Sequence, residues 1–356
     1  MSVESAAGIE RPAGIESAAG MENVESAAAL VCGFAIGEDG PNRGRVRALP
    51  TPTEEVRPGE WIWLHFDRGA SATERWLRKE SHLSDPLVDA LLDEETRPRH
   101  ALFDDGALVI LRAVNLNPGA EAHDMLSLRM FVSDDLVVTL RRHTVFAVAD
   151  IRARYEAACA DDARSSGPDS PAHLFGAVVE GLTDRIAETV AGLEDDLDAL
   201  EERMVETDPE TLRADVLRLR RRALPLKRFL APQREALAAF SKARVHFLSD
   251  EVRTLVAEEA ERTVRLVEAL DALRERAGLL QEEITATIDD RINRNTYSLS
   301  LVAAIFLPLG FLTGLLGINV GGMPGADTPW AFWAVVALCI VLSVVGVWML
   351  KRLRLL

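Results

Sequence analysis

One line of residues in the last quarter of the chain has the types and spacing to guide a cation. Glu282, Ala286, Asp289, Asn293, Thr296, Ser300, Ala303, Leu307, Gly310, Gly314 and Gly317 recur every three or four positions, the spacing of one helix face. The line begins with carboxylates, continues as amide and hydroxyl groups, and ends in glycines just before Asn319. Carboxylates attract cations, and neutral oxygens hold a hydrated ion without trapping it, which conduction requires. Spacing alone leaves a second reading open. Gly310-x-x-x-Gly314 is also a close-packing motif of membrane helices. With several helices around an axis, one face can serve both ends.

Other chemistry finds little support. His65, His82, His100, His123, His143, His173 and His246 are scattered, with no HxH or HxxxH pair, and Cys32, Cys159 and Cys339 lie far apart without a CxxC. Zinc prefers His and Cys in tetrahedral sites, and the line above contains neither. Each histidine reads as a surface or structural residue, with His246 the least implausible ligand. There is no GxxxxGK[ST] phosphate loop, no HExxH and no Ser/His/Asp arrangement, so neither an enzyme nor a nucleotide-driven pump is indicated, and no tightly bound cofactor is expected. The net charge is −16, from 40 Lys+Arg against 56 Asp+Glu. That argues against a nucleic-acid partner, which needs a basic face.

The elements that would position these residues follow from composition. Asn295 to Ala326 carries no charge, and neither does Thr328 to Leu350. Leu299–Ile318 and Trp330–Leu350 are each long enough to cross a bilayer, and Trp330, Trp333 and Trp348 suit its interfaces. Arg291 and Arg294 precede the pair; Lys351, Arg352 and Arg354 follow it. The positive-inside rule puts both termini in the cytoplasm. Upstream, Val256, Ala260, Val264, Val267, Leu270, Leu273, Ala277, Leu280, Ile284, Ile288 and Ile292 recur with a mean spacing of 3.6, the period of a continuous helix. A helix from Asp250 to Ile318 would be about 100 Å long. Two spans cannot enclose a water path, so a conduit needs several copies around an axis.

The rest of the chain divides by pattern. Residues 1–29 repeat Glu-Ser-Ala-Ala and read as disordered. They lack a basic start and an apolar core, so no signal peptide is expected. Residues 30–160 alternate strands, such as Trp61–Phe66 and Ala107–Leu116, with short helices, and read as an α/β domain. Ser84 is placed to cap a helix from Pro86 to Leu92. Residues 161–171 are a linker and 172–248 an antiparallel helical pair. The long helix covers 249–318, its first span about 297–318. A loop at 319–329, a second span at 330–350 and a tail at 351–356 complete the chain. Glu194, Asp195, Asp196, Asp198, Glu201, Glu202, Glu206 and Asp208 form an acidic run with only Arg203 to offset it nearby. The run reads as a diffuse field that concentrates cations.

Gly317-Ile318-Asn319-Val320-Gly321-Gly322-Met323-Pro324-Gly325, with Asp327 beyond it, resembles the signature that closes the first span in the CorA superfamily of divalent-cation transporters. The family carries Gly-Met-Asn there; the Gly-Ile-Asn here, with Phe306-Leu307-Pro308 and Phe311-Leu312-Thr313-Gly314, is similar to the zinc-transporting, ZntB-like branch. Arg97-Pro98-Arg99, Ile110 to Asn117, Met125 to Arg129 and Arg220 to Arg234 extend the resemblance over about residues 30–356. It implies an α/β cytoplasmic funnel domain, a very long α-helix and a two-span transmembrane hairpin, assembled as a homopentamer in a bacterial inner membrane. The stripe would line the pore, and Asn319 would meet the hydrated ion at its outer mouth. Taken alone, Asn319 is also an ordinary helix-end turn residue. Zn2+ is the transported ion that the branch implies, with Mg2+, Co2+ or Ni2+ as the alternative. Transport would run on the ion gradient and membrane potential, or on protons; Glu282 or Asp289 could carry these, but both read first as a solvated charged face. A membrane-anchored scaffold, using the long helix as a stalk, would leave the glycine-rich signature unexplained.

Overall fold

The structure is a computed structural model that describes residues 29–38, 42–94, 97–161, 163–205, 207–318 and 328–352. Asn319 and the outer-loop positions Val320 to Gly325 and Asp327 therefore lie outside the described residues. The chain divides into two units, one running to residue 205 and including 214–279, the other formed by 206–213 and 280 onward.

The first unit is built on a mixed sheet. Its strands are β1 (Leu30–Gly37), β2 (Val46–Ala48), β3 (Glu60–Asp67), β4 (Arg99–Phe103), β5 (Gly106–Ala113), β6 (Leu126–Val132) and β7 (Leu136–Arg141), in the order β2-β1-β3-β7-β6-β5-β4. The β3–β7 pair is parallel and the other pairs are antiparallel. β5 reads Gly-Ala-Leu-Val-Ile-Leu-Arg-Ala and is buried throughout, as a near-continuous apolar run must be when both faces of a sheet are covered. Its side chains alternate between two cores. Ala107, Val109, Leu111 and Ala113 enter one; Leu108 and Ile110 enter the other. Gly106 permits the tight β5–β6 contact, because a Cβ there would lie 2.4 Å from the Val132 carbonyl oxygen.

Two short helices, α1 (Ser71–Lys79) and α2 (Asp85–Leu92), supply Trp76, Leu77, Leu87, Val88 and Leu91 to the second core. The first core is larger. It is closed by α3 (Phe146–Ala160), α4 (Pro171–Glu202), α5 (Pro209–Phe240) and the start of α6 (Asp250–Leu316). One face of the sheet and these four helices thus share one apolar interior. The segment before α4 is pinned to it: Trp61 Nε1 donates to the Asp169 carbonyl at 3.0 Å, and the Tyr155 hydroxyl donates to that of Pro168 at 2.6 Å. Ser170 caps α4 by accepting from His173 N–H at 3.2 Å. Ser84 occupies the N-cap of α2, yet its hydroxyl makes no cap bond. The nearby bond is made by Ser81, whose hydroxyl accepts from Leu83 N–H.

The periodic apolar face of α6 is buried at Val256, Ala260, Val267, Leu270, Leu273, Ala277, Leu280 and Ile284. Beyond Ile284 the cover thins: Ile288 is half-buried and Ile292 is 55% exposed. α6 and the last helix, α7 (Ala331–Arg352), are both long and apolar enough to cross a membrane, and the apolar stretch of neither is buried.

Candidate functional site

α6 carries the whole stripe through Gly314 and ends at Leu316, one residue short of Gly317. Every stripe residue from Glu282 to Gly317 is exposed in the single chain. The opposite side of the same helix is different. Leu301, Ile305, Leu309 and Leu312 are half-buried, as are Ala331, Val335, Val336, Cys339, Ser343, Gly346 and Leu350 of α7. Thr313 of α6 and Cys339 of α7 line one cavity between the two helices. At about 100° per residue, the line Ser300–Ala303–Leu307–Gly310–Gly314–Gly317 is centred about 180° from the half-buried leucine line. The small and polar face of the first span therefore points away from the second.

Among the described residues, nothing requires Gly310 or Gly314 to be small, whereas a Cβ at Gly317 would lie 3.1 Å from the Thr313 carbonyl oxygen. A Cβ added at Gly310 or Gly314 would meet no atom within 4 Å. Gly317 leaves the helix with its N–H donating to the Thr313 carbonyl at 2.9 Å and to that of Gly314 at 3.2 Å. Ser300 donates its hydroxyl to the Thr296 carbonyl at 2.8 Å, so its proton is engaged and its oxygen lone pairs face outward. Pro308 interrupts the helix ladder by offering no N–H to the carbonyl of Ala304.

These features, a mixed-sheet unit, a 67-residue helix and an apolar helix after it, have counterparts in known proteins. The CorA-like Mg2+ transporter protein family matches residues 58–352. The chain belongs to this CorA-like family. It is 39% identical over 331 residues to the divalent cation transporter CmaX of Pseudomonas aeruginosa, covering 91% of this chain and 96% of that protein. It is 34% identical over 290 residues to the zinc transport protein ZntB of Pectobacterium carotovorum, covering 82% and 86% of the two chains. The full-length CmaX structure superposes with a TM-score of 0.77 at 36% identity, over 92% of this chain and 98% of that one. A CorA-like fold, α/β domain first and long helix after, is what the sequence resemblance implied.

Among the described residues of this CorA-like chain, no group of three or more His, Cys, Asp or Glu is arranged to hold a metal. Three of the histidines have other partners. His65 is buried, with Nδ1 2.7 Å from Thr139 Oγ1 and Nε2 accepting from Arg141 Nε at 3.0 Å. Burial, and then the Arg141 charge, lower its pKa to about 3, so the ring is neutral and donates from Nδ1. His246 meets Asp134 and His173 meets Asp169.

The acidic run differs from its sequence reading. Asp196 pairs with Arg222 at 2.6 Å, and Arg276 reaches Asp198 at 2.6 Å and Glu201 at 2.7 Å. Arg291 lies 3.3 Å from Asp208. Arginines distant in sequence offset the run, so an unpaired field carried by all its carboxylates is not present.

Proposed function

We propose that the chain conducts divalent metal cations, zinc foremost, along the axis of a homopentamer in the bacterial inner membrane, with both termini in the cytoplasm. The observation that carries this reading is the uncovered small-residue face of α6, opposite the side that α7 half-covers. Glycines with open space beside them are an idle expense in a lone helix, where each costs about 1 kcal/mol against alanine. They gain a purpose when neighbouring helices approach and leave backbone and hydroxyl oxygens toward an axis.

In this arrangement Glu282 and Asp289 draw cations to the inner end of the stripe. Asn293, Thr296 and Ser300 then present neutral oxygens to the hydrated ion. Asn319 completes the path as an amide ring at the outer mouth, and no tightly bound cofactor takes part. The zinc preference rests on the likeness to ZntB. A second reading, Mg2+ with Co2+ or Ni2+ as cargo, is favoured by the stripe itself, because neutral oxygens suit a hard ion that keeps its waters.

Liposomes bearing the purified chain, loaded with metal-sensing dyes, test both readings. The expected result is zinc uptake above that of empty liposomes, exceeding Mg2+, Co2+ and Ni2+ uptake. Faster Mg2+ than Zn2+ flux would establish the second reading, and no flux of any metal would overturn the function.

A further inference from the structure

The sheet unit contains a cavity of ≈ 650 Å³ that plays no part in the pathway above. Strand order brings five arginines to its wall: Arg68 after β3, Arg112 on β5, Arg129 on β6, and Arg141 and Arg142 at the end of β7. Two carboxylates, Glu94 and Asp124, share that wall. Arg112 and Arg129 are buried, and taking guanidinium charges out of water is costly unless something offsets them.

Backbone dipoles and a ring are among the partners that hold these arginines. Arg68 Nη2 donates to the Leu92 and Asp93 carbonyls at 2.7 and 3.0 Å, and Arg129 Nη1 to that of Leu91 at 3.0 Å. Both thereby grip the negative end of α2. Arg112 Nη1 donates to the Met125 carbonyl at 2.8 Å, and its guanidinium lies 4.1 Å over the Phe229 ring. Donors remain unused. Arg129 is 1% exposed, yet among the described residues its Nε has no acceptor, and neither does Arg68 Nε; the Ser127 hydroxyl on the same wall is also buried and unbonded there. Burial, helped by neighbouring guanidiniums, lowers the pKa of Arg112 and Arg129 to about 10. Among the described residues, the cavity thus has five arginines against two carboxylates, and buried donors at Arg68, Arg129 and Ser127 without acceptors.

We propose that this cavity binds a phosphorylated small molecule, with its phosphates among the arginines and Ser127. Guanidinium forks match phosphate oxygens in pairs, and several arginines call for a ligand with more than one negative charge. The volume exceeds that of a bare phosphate and falls in the range of small-molecule sites. Met125, Leu126, Pro225 and Phe229 give the remaining wall an apolar surface, suited to an organic body attached to the phosphates. The proposal stands independently of which metal is carried, or whether any is.

Calorimetric titration of the full chain in detergent, free of divalent metal, tests it with adenosine triphosphate and inorganic pyrophosphate as probes. Both are expected to bind, the triphosphate more tightly because its body meets the apolar wall. Arg142→Glu, a change at an exposed position, is expected to weaken both at least tenfold. Ser127→Ala, which removes an unbonded hydroxyl, is expected to weaken both several-fold at unchanged melting temperature. Arg222→Glu, outside the cavity, is expected to bind as wild type. No binding of either probe at millimolar concentration, or equal binding by Arg142→Glu and wild type, overturns the site. Tighter binding of pyrophosphate than of triphosphate overturns the organic-body part.

Discussion

Arg276 holds Glu201 with both sides of its guanidinium, Nε to Oε1 at 3.2 Å and Nη2 to Oε2 at 2.7 Å. The pair ties the end of α4 to α6 and joins residues 75 positions apart. The two acidic partners, Glu201 first and then Asp198, push the arginine pKa up. Both side chains are about two-fifths exposed, so water and salt screen the pair. A double-mutant cycle on Arg276→Ala and Glu201→Ala should give a coupling of about 0.5–1 kcal/mol at low salt, smaller at high salt. Arg276→Lys should forfeit much of it, because an ammonium cannot reproduce the two-point grip. Thermal denaturation of the four proteins of the cycle and of Arg276→Lys checks this, and zero coupling at low salt refutes it.

His65 predicts a pH dependence of stability. Its ordinary pKa is 6.5, and in the folded chain it is lowered to about 3. Between those values the unfolded chain takes up a proton that the folded chain refuses. The contribution is therefore complete above about pH 6.5 and is lost as pH falls toward 3, at up to about 1.4 kcal/mol per pH unit. The fold has no room for the charge. The Thr139 hydroxyl already accepts from Trp63 Nε1 at 2.8 Å and meets His65 Nδ1, and Arg141 donates to the other ring nitrogen. Melting temperatures from pH 7.5 to 5.0 should fall more steeply for wild type than for His65→Gln. Parallel curves would contradict the assignment.

Gly314 separates packing within the chain from packing between chains. Since a Cβ there meets no described atom within 4 Å, Gly314→Leu should insert and fold with unchanged helix content. If the face is buried against neighbouring copies, the same change should dissociate the assembly or reduce metal flux more than tenfold. Native mass spectrometry in mild detergent reads the first outcome and liposome flux the second. The wild-type mass should be that of a pentamer. A wild-type monomer or dimer, or a fully active Gly314→Leu, would remove the basis of the proposed pore.

Periodicity over many turns was the most legible signal. Val256 to Ile284 could be read because each apolar residue falls on one face for eight turns, a pattern that chance rarely sustains. Short elements gave no such signal. β1 dilutes its strand character with Cys32, Gly33 and Gly37; β4 includes Arg99 and His100 at the sheet edge; and α1 offers only Trp76 and Leu77 as large apolar residues. These were not recognised as elements in the sequence. Long-range charge pairing was invisible for a different reason. Arg222 and Arg276 become neighbours of the acidic run only after three helices pack, and Arg68, Arg112 and Arg129 share a cavity only through strand order. The stripe on α6 was legible as a spacing. Its position opposite the α7-facing side needed both helices in place.

The last prediction concerns Asn319. The chain leaves α6 at Gly317, whose N–H closes the final turn onto Thr313 and Gly314. Asn319 follows two residues later in the sequence, beyond the last residue of the stripe. A neutral amide there can accept hydrogens from an ion's own waters, so the ion is held without losing its shell. Asn319→Ala removes that acceptor and should reduce divalent flux at least tenfold while the native mass stays that of the wild-type assembly. Asn319→Asp should act in the opposite sense on binding. A ring of carboxylates would bind divalent ions more tightly and release them more slowly, lowering maximal flux while lowering the concentration needed for half-saturation. The two variants thus fail differently if the amide meets the ion. If Asn319→Ala and Asn319→Asp both transport with wild-type rate and saturation, the residue is a turn former at a helix end, and selection must occur elsewhere along the stripe.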